Sequence, residues 1–163
     1  MSVNKHQPHV LVLPEDDANR QLALGFRRDQ YLQDWKIQVL EEAGGWIKVV
    51  EIFKKDLVAG MNRYSGRFVV LLIDFDKHLE RVARVKSEIP DRLADRVFVL
   101  GALTEPEGLK QADLGSLEQI GLGLAKDCRE GTDFVWGHDL LRHNAPELQR
   151  LLQHVRPILF PSN

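Results

Sequence analysis

The chain is poor in the residues that would tie it to an oxidising compartment, a membrane or a bulk polyanion. One cysteine, Cys128, among 163 residues excludes an internal disulfide framework and a Cys-rich zinc site. A reducing, cytoplasmic setting is the simple expectation. No apolar run approaches the roughly 20 residues of a membrane helix. Met1–Pro8 lacks an apolar core, so a secretory leader is not expected. The 22 basic and 24 acidic residues nearly cancel, for a formal net charge of -2. That balance removes any whole-surface case for binding nucleic acid or membrane, and leaves room for local patches and a bound cation. Internal repeats and low-complexity stretches are absent too, as is a Gly-x-x-x-x-Gly-Lys-Ser/Thr phosphate loop.

What is there is ordinary globular material, 44% apolar and 28% charged, enough for one domain over residues 1–163. His9–Leu13 is a β-branched apolar run that suits a strand buried on both faces, ended by Pro14. Residues 18–32 read as a helix with Asp16 or Asp17 as its cap. Trp35–Leu40 alternates like a strand, and Gly44-Gly45 makes a turn. Helical spacing fills 46–64. Phe68–Ile73 is the strongest strand pattern, a helix over 78–85 follows, and Arg96–Leu100 is another buried strand. Helices are expected near 105–112, 116–127 and 145–155, and Val155–Phe160 as a last short strand. Strands alternating with helices predict an α/β three-layer domain, a mainly parallel four-stranded sheet flanked by helices. Its core would span about 9–112, with a helical C-terminal extension over 113–163.

Ligands of such sheets sit beyond the carboxyl ends of the strands, and three of those ends are acidic. The first strand runs into Glu15-Asp16-Asp17, the third into Asp74-Phe75-Asp76, and Glu105-Pro106-Glu107 follows the fourth. Gathered on one edge, such carboxylates repel one another unless a cation sits among them. Their hard oxygen donors select Mg²⁺ or Mn²⁺ over zinc. Alternate residues leaving a strand point the same way, so Asp74 and Asp76 are expected to face one ion. The blander reading is that Asp16 and Asp17 merely favour a helix dipole.

The order and spacing of these segments resemble the Toprim fold, in the version found in OLD-family nucleases. Val12–Arg20 is similar to the first motif, with Glu15 in the place of its glutamate. Leu72-Ile-Asp-Phe-Asp76 is similar to the Asp-x-Asp motif, and Gly44-Gly45 to a glycine pair after the second strand. Val97–Leu100 with Glu105-Pro-Glu107 is similar to the fourth strand and its acidic follower. The resemblance covers about residues 9–112. It implies metal-dependent phosphodiester hydrolysis of DNA or RNA, with Glu15, Asp74 and Asp76 catalytic and metal-binding and Glu107 completing a second site. Arg20, Lys77 and Lys110 would hold the nucleic-acid backbone. It further implies a separate ABC-type ATPase as partner in prokaryotic antiviral defence, and leaves a homo-oligomer open. Two positions depart from the pattern: Asp16 stands where a glycine is usual, and Asn19 where an acidic residue is expected.

A receiver-like signalling domain is the alternative. It too has an acidic group after the first strand and a phospho-accepting aspartate after the third, here Asp74. The lysine expected after its last strand is missing from Val155–Phe160. A catalytically weak partner subunit is a third reading. His138, Asp139 and His143 are read as a helix start and surface helix, and His78 as an exposed helix residue. Trp35, Trp46 and Trp136 are read as core or interface, and Cys128 as buried.

Overall fold

The structure is a computed structural model and describes residues 2–161. Four strands, β1 (His9–Pro14), β2 (Ile37–Val39), β3 (Arg67–Leu72) and β4 (Val97–Leu100), form one all-parallel sheet in the order β2-β1-β3-β4. Pro14 lies within β1, opposite Leu72, instead of ending it. Strand residues alternate between two apolar layers, as a pleated sheet covered on both faces requires. Val10, Val12, Val70, Phe98 and Leu100 join one layer. Leu11, Leu13, Val69, Leu71, Val97 and Val99 join the other.

The second layer is completed by α2 (Trp46–Ile52), a π-helical turn over Phe53–Leu57, α3 (Val58–Arg63) and α4 (Glu80–Ser87). They bring in Val49, Phe53, Leu57, Met61 and Val85. The expected helix over 46–64 is thus one continuous rod carrying a π turn at its middle. The first layer is completed by α1 (Asp17–Arg27), α6 (Leu117–Glu130) and α7 (Ala145–His154), with short α5 (Glu107–Gln111) and α8 (Arg156–Leu159). Leu22, Ile120, Leu124, Trp136, Leu148 and Leu151 are buried there. The segment after residue 112 therefore shares one face of the sandwich with α1 and α5. Helices α1 and α6 touch backbone to backbone: a Cβ on Gly25 would lie 2.0 Å from the Glu118 carbonyl oxygen, and one on Gly121 2.0 Å from that of Leu22.

Two expectations are corrected. Residues 155–160 are not a strand: α8 occupies them, and Pro157 in its first turn has no N–H to lose there. Trp35 does not open a strand: it lies, 54% exposed, in a single 3-10 turn over Asp34–Lys36 that shortens β2 to three residues.

The place of a fifth strand beside β4 is taken by side chains from α7 and the turn before it. Asn144 accepts from the Gly101 N–H at 3.1 Å and donates back to the Gly101 carbonyl at 2.9 Å. Glu147 accepts from the Val99 N–H at 2.8 Å, and Arg150 reaches the Val97 and Ala94 carbonyls. Glu147 is buried and also paired with Lys86 and Arg150. An edge strand left bare would template pairing with another chain; here its polar groups are met from within.

Candidate functional site

The connection from β1 leads outward to β2, and the next strand returns to β1's other side as β3. The sheet's topological switch point thus lies between the carboxyl ends of β1 and β3, where open α/β sheets bind ligands. Glu15 and Asp74 stand at those two ends. The Asp74 N–H donates to Glu15 Oε2 at 2.6 Å. Glu15 is fixed from the other side as well, since its carbonyl accepts from the N–H groups of Gly44 (2.8 Å) and Gly45 (3.2 Å). Both glycines have positive φ, 94° and 134°, which side-chain-bearing residues rarely adopt. The glycine pair is what lets the β2–α2 loop fold back onto the first strand's end.

Asn19 organises the carboxylates. Its side chain is fully buried, and its Nδ2 donates to both Asp16 Oδ1 and Asp74 Oδ1, each at 2.9 Å. Asp16 also caps α1 by accepting from the Asn19 backbone N–H. One amide therefore bridges two acids on different strands' ends, and Asn19 Oδ1 remains buried with no hydrogen-bond partner. Burial pushes the Asp74 carboxyl up to about 8; the Asn19 hydrogen bond opposes this, and the nearby Asp16 and Glu15 charges add to it. Glu15 is pushed in the same direction, again chiefly by burial, with the Asp74 N–H opposing.

Asp76 does not join them. It adopts φ 47°, its side chain is 65% exposed, and it pairs with Arg81 Nη1 at 3.3 Å. The expectation that Asp74 and Asp76 face one ion assumed that the strand's alternation continues. It continues through Phe75, which donates to the Ala102 carbonyl and joins Leu71 and Ile73 in one layer, and it breaks at Asp76 and Lys77, where the chain turns left-handed. Arg81 also donates to the Asp74 carbonyl at 2.6 Å. Glu107 begins α5, exposed, on the same edge, without contact to Glu15 or Asp74. Of the expected backbone-holding cations, Arg20 is engaged by Glu42 and the Leu40 carbonyl, whereas Lys77 and Lys110 are exposed.

Sequence reading missed two contributors and misplaced one histidine. Asn19 stood as a departure, yet it is the bridge. Arg81 lies one helical turn beyond the Asp-x-Asp. His143, assigned to a surface helix, is half-buried with its ring edge-on to Phe75 at 5.2 Å, both ring nitrogens unpartnered and its pKa lowered by burial. His138 and Asp139 lie in turn structure before it, not on a helix.

The donor set at this edge is entirely oxygen, the chemistry of Mg²⁺ or Mn²⁺. The buried, unpartnered Asn19 Oδ1 marks an unmet polar valence beside it. The carboxylates do not form a closed cage: among the described residues, no three His, Cys, Asp or Glu side chains converge as a metal-holding group. A two-carboxylate site suits Mg²⁺, which keeps several waters and completes its shell with substrate phosphates. No described helix is long and apolar enough to cross a membrane. Compared with protein-family models, curated proteins and solved structures, the chain finds no significant match.

Proposed function

We propose that this chain is a Toprim-like, Mg²⁺- or Mn²⁺-dependent phosphodiesterase domain acting on DNA or RNA, with its site at the switch point. The observation that carries this reading is the joining of Glu15 to Asp74 across the ends of β1 and β3. The Asp74 N–H ties the Glu15 carboxylate to the place where α/β sheets bind ligands, and burial pushes the Asp74 carboxyl up to about 8. A divalent ion bound there supplies charge neutralisation and an activated water. Glu15 and Asp74 would hold it. Asn19 keeps Asp16 and Asp74 oriented together, and Arg81, tied to the Asp74 carbonyl, fixes the loop that carries the acid. Asp76 would join only on leaving Arg81, and Glu107, exposed at the start of α5, is left for the second site that the resemblance implies.

The test is cleavage of plasmid and of short labelled RNA and DNA, with Mg²⁺, Mn²⁺ or chelator. The expected result is metal-dependent cleavage abolished in Glu15→Ala and in Asp74→Ala. Cleavage that persists in both variants would sink the assignment. The resemblance also implies an ABC-type ATPase partner. Adding an ATPase encoded next to this gene is then expected to raise cleavage.

The receiver reading gains from the position of Asp74 at the switch point. It loses from the edge of β4, where a lysine-bearing fifth strand would stand and α7 side chains stand instead. Labelling of Asp74 by a small phosphodonor would favour it.

A further inference from the structure

Beside the acidic edge lies an aromatic ring carrying two guanidinium groups. Trp46, half-buried at the start of α2, is approached by Arg81 at 4.7 Å and by Arg84 at 5.1 Å from the ring centroid. The two arginines are three residues apart on α4, hence neighbours on one helix face. Their circumstances differ. Arg81 is committed to the Asp74 carbonyl and to Asp76. Arg84 is exposed, and its side chain makes no hydrogen bond or ion pair among the described residues.

A guanidinium stacked on an indole keeps its rim of N–H donors open while the ring restricts its motion. That arrangement binds a phosphate at little further loss of freedom. It is not consumed internally, as Arg28 is by Glu118 or Arg129 by Asp29. Through Arg81, the same ring is linked to the loop that holds Asp74. Exposed Lys77, at φ 65°, projects from that loop as well.

We propose that Arg84, held on Trp46, grips a backbone phosphate of the nucleic-acid strand whose neighbouring phosphate lies at the Glu15–Asp74 edge. This rests on the phosphodiesterase reading, and it supplies the substrate grip that Arg20, engaged by Glu42, does not. The strand is recognised by its phosphates, so the grip reads no sequence.

A matched control exists at the other end of the sheet. Arg63 is stacked on Tyr64 at 5.5 Å just before β3 begins, with Lys5 and Arg67 around the same ring. The experiment is fluorescence anisotropy of labelled 20-nucleotide single-stranded DNA and RNA in chelator, where no cleavage occurs. Wild type, Arg84→Glu, Arg84→Lys and Arg63→Glu are compared over a range of salt. Arg84→Glu is expected to weaken binding about tenfold and to lower the salt slope by about one. Arg84→Lys should fall between, since an ammonium keeps the charge but loses the planar fork. Arg63→Glu should leave the affinity nearly unchanged. A larger loss in Arg63→Glu than in Arg84→Glu would move the strand to the opposite edge and overturn the proposal. So would a wild type that binds neither strand. Calorimetric titration of the same protein with Mg²⁺ alone, in wild type and Glu15→Ala, reports on the metal site separately, so failure of the grip and failure of the site are told apart.

Discussion

Asp74 is a buried acid whose own neighbours are acids, and its protonation sets a pH dependence of the fold. Its carboxyl, ordinarily near 3.8, is pushed up to about 8 in the folded chain. Between those values the folded state keeps a proton that the unfolded state has lost. The stability it contributes is therefore fully present below about pH 3.8 and lost as pH rises towards 8. Glu15 acts in the same direction. In chelator, the melting temperature of Asp74→Asn relative to wild type is expected to rise steadily from pH 4 to pH 8; a flat difference would show that Asp74 titrates normally. Asn19→Ala should leave the chain folded but lower Mg²⁺ affinity on the order of 10–100-fold, as loss of a ligand-orienting partner does, read by calorimetry. The positions of Glu15 and Asp74 could be read from the sequence because each follows an apolar strand. The role of Asn19 could not, because it depends on two acids 58 residues apart in sequence, Asp16 and Asp74, meeting on one amide. The divergence of Asp76 was equally hidden, since left-handed backbone after a strand leaves no mark on a pattern of alternation.

Among the elements, the pair α1 and α6 shows how little space separates the helices over the sheet. With a Cβ at Gly121 falling 2.0 Å from the Leu22 carbonyl oxygen, no side chain fits without moving backbone. Gly121→Val is expected to destabilise the chain by about 1–3 kcal/mol in urea denaturation. β1, β3 and β4 were legible because each is a short apolar run of β-branched or large residues in a sheet covered on both faces. The last predicted strand was misread for the same reason. Val155-Arg-Pro-Ile-Leu-Phe160 is equally apolar, but its partners are Phe26 and the first layer, not a neighbouring backbone. Composition tells how much a segment buries, and Pro157 tells which geometry buries it.

At the scale of the whole molecule, the helices after residue 112 share with α1 the cover of one face of the sheet. Residues 1–112 alone would keep only α1 and α5 over that face and would lose the cover that Ile120, Leu124, Trp136, Leu148 and Leu151 give it. A chain ending at 112 is expected to lack a cooperative melting transition by circular dichroism, whereas the full chain should unfold in a single one. The sealed edge of β4 belongs to the same logic, and its geometry has an arithmetic of its own. Asn144 meets Gly101, Glu147 meets Val99 and Arg150 meets Val97, so the pairing runs backwards along the strand in steps of three against two. Three helical residues advance about 4.5 Å, and two strand residues about 6.6 Å. The two rulers slip by roughly 2 Å at every step, and the side chains lengthen in the same order, asparagine, glutamate, arginine. The edge is closed by a vernier. Exchanging Asn144 and Arg150 would keep the composition of α7 and its preceding turn, yet would set the longest arm where the gap is smallest.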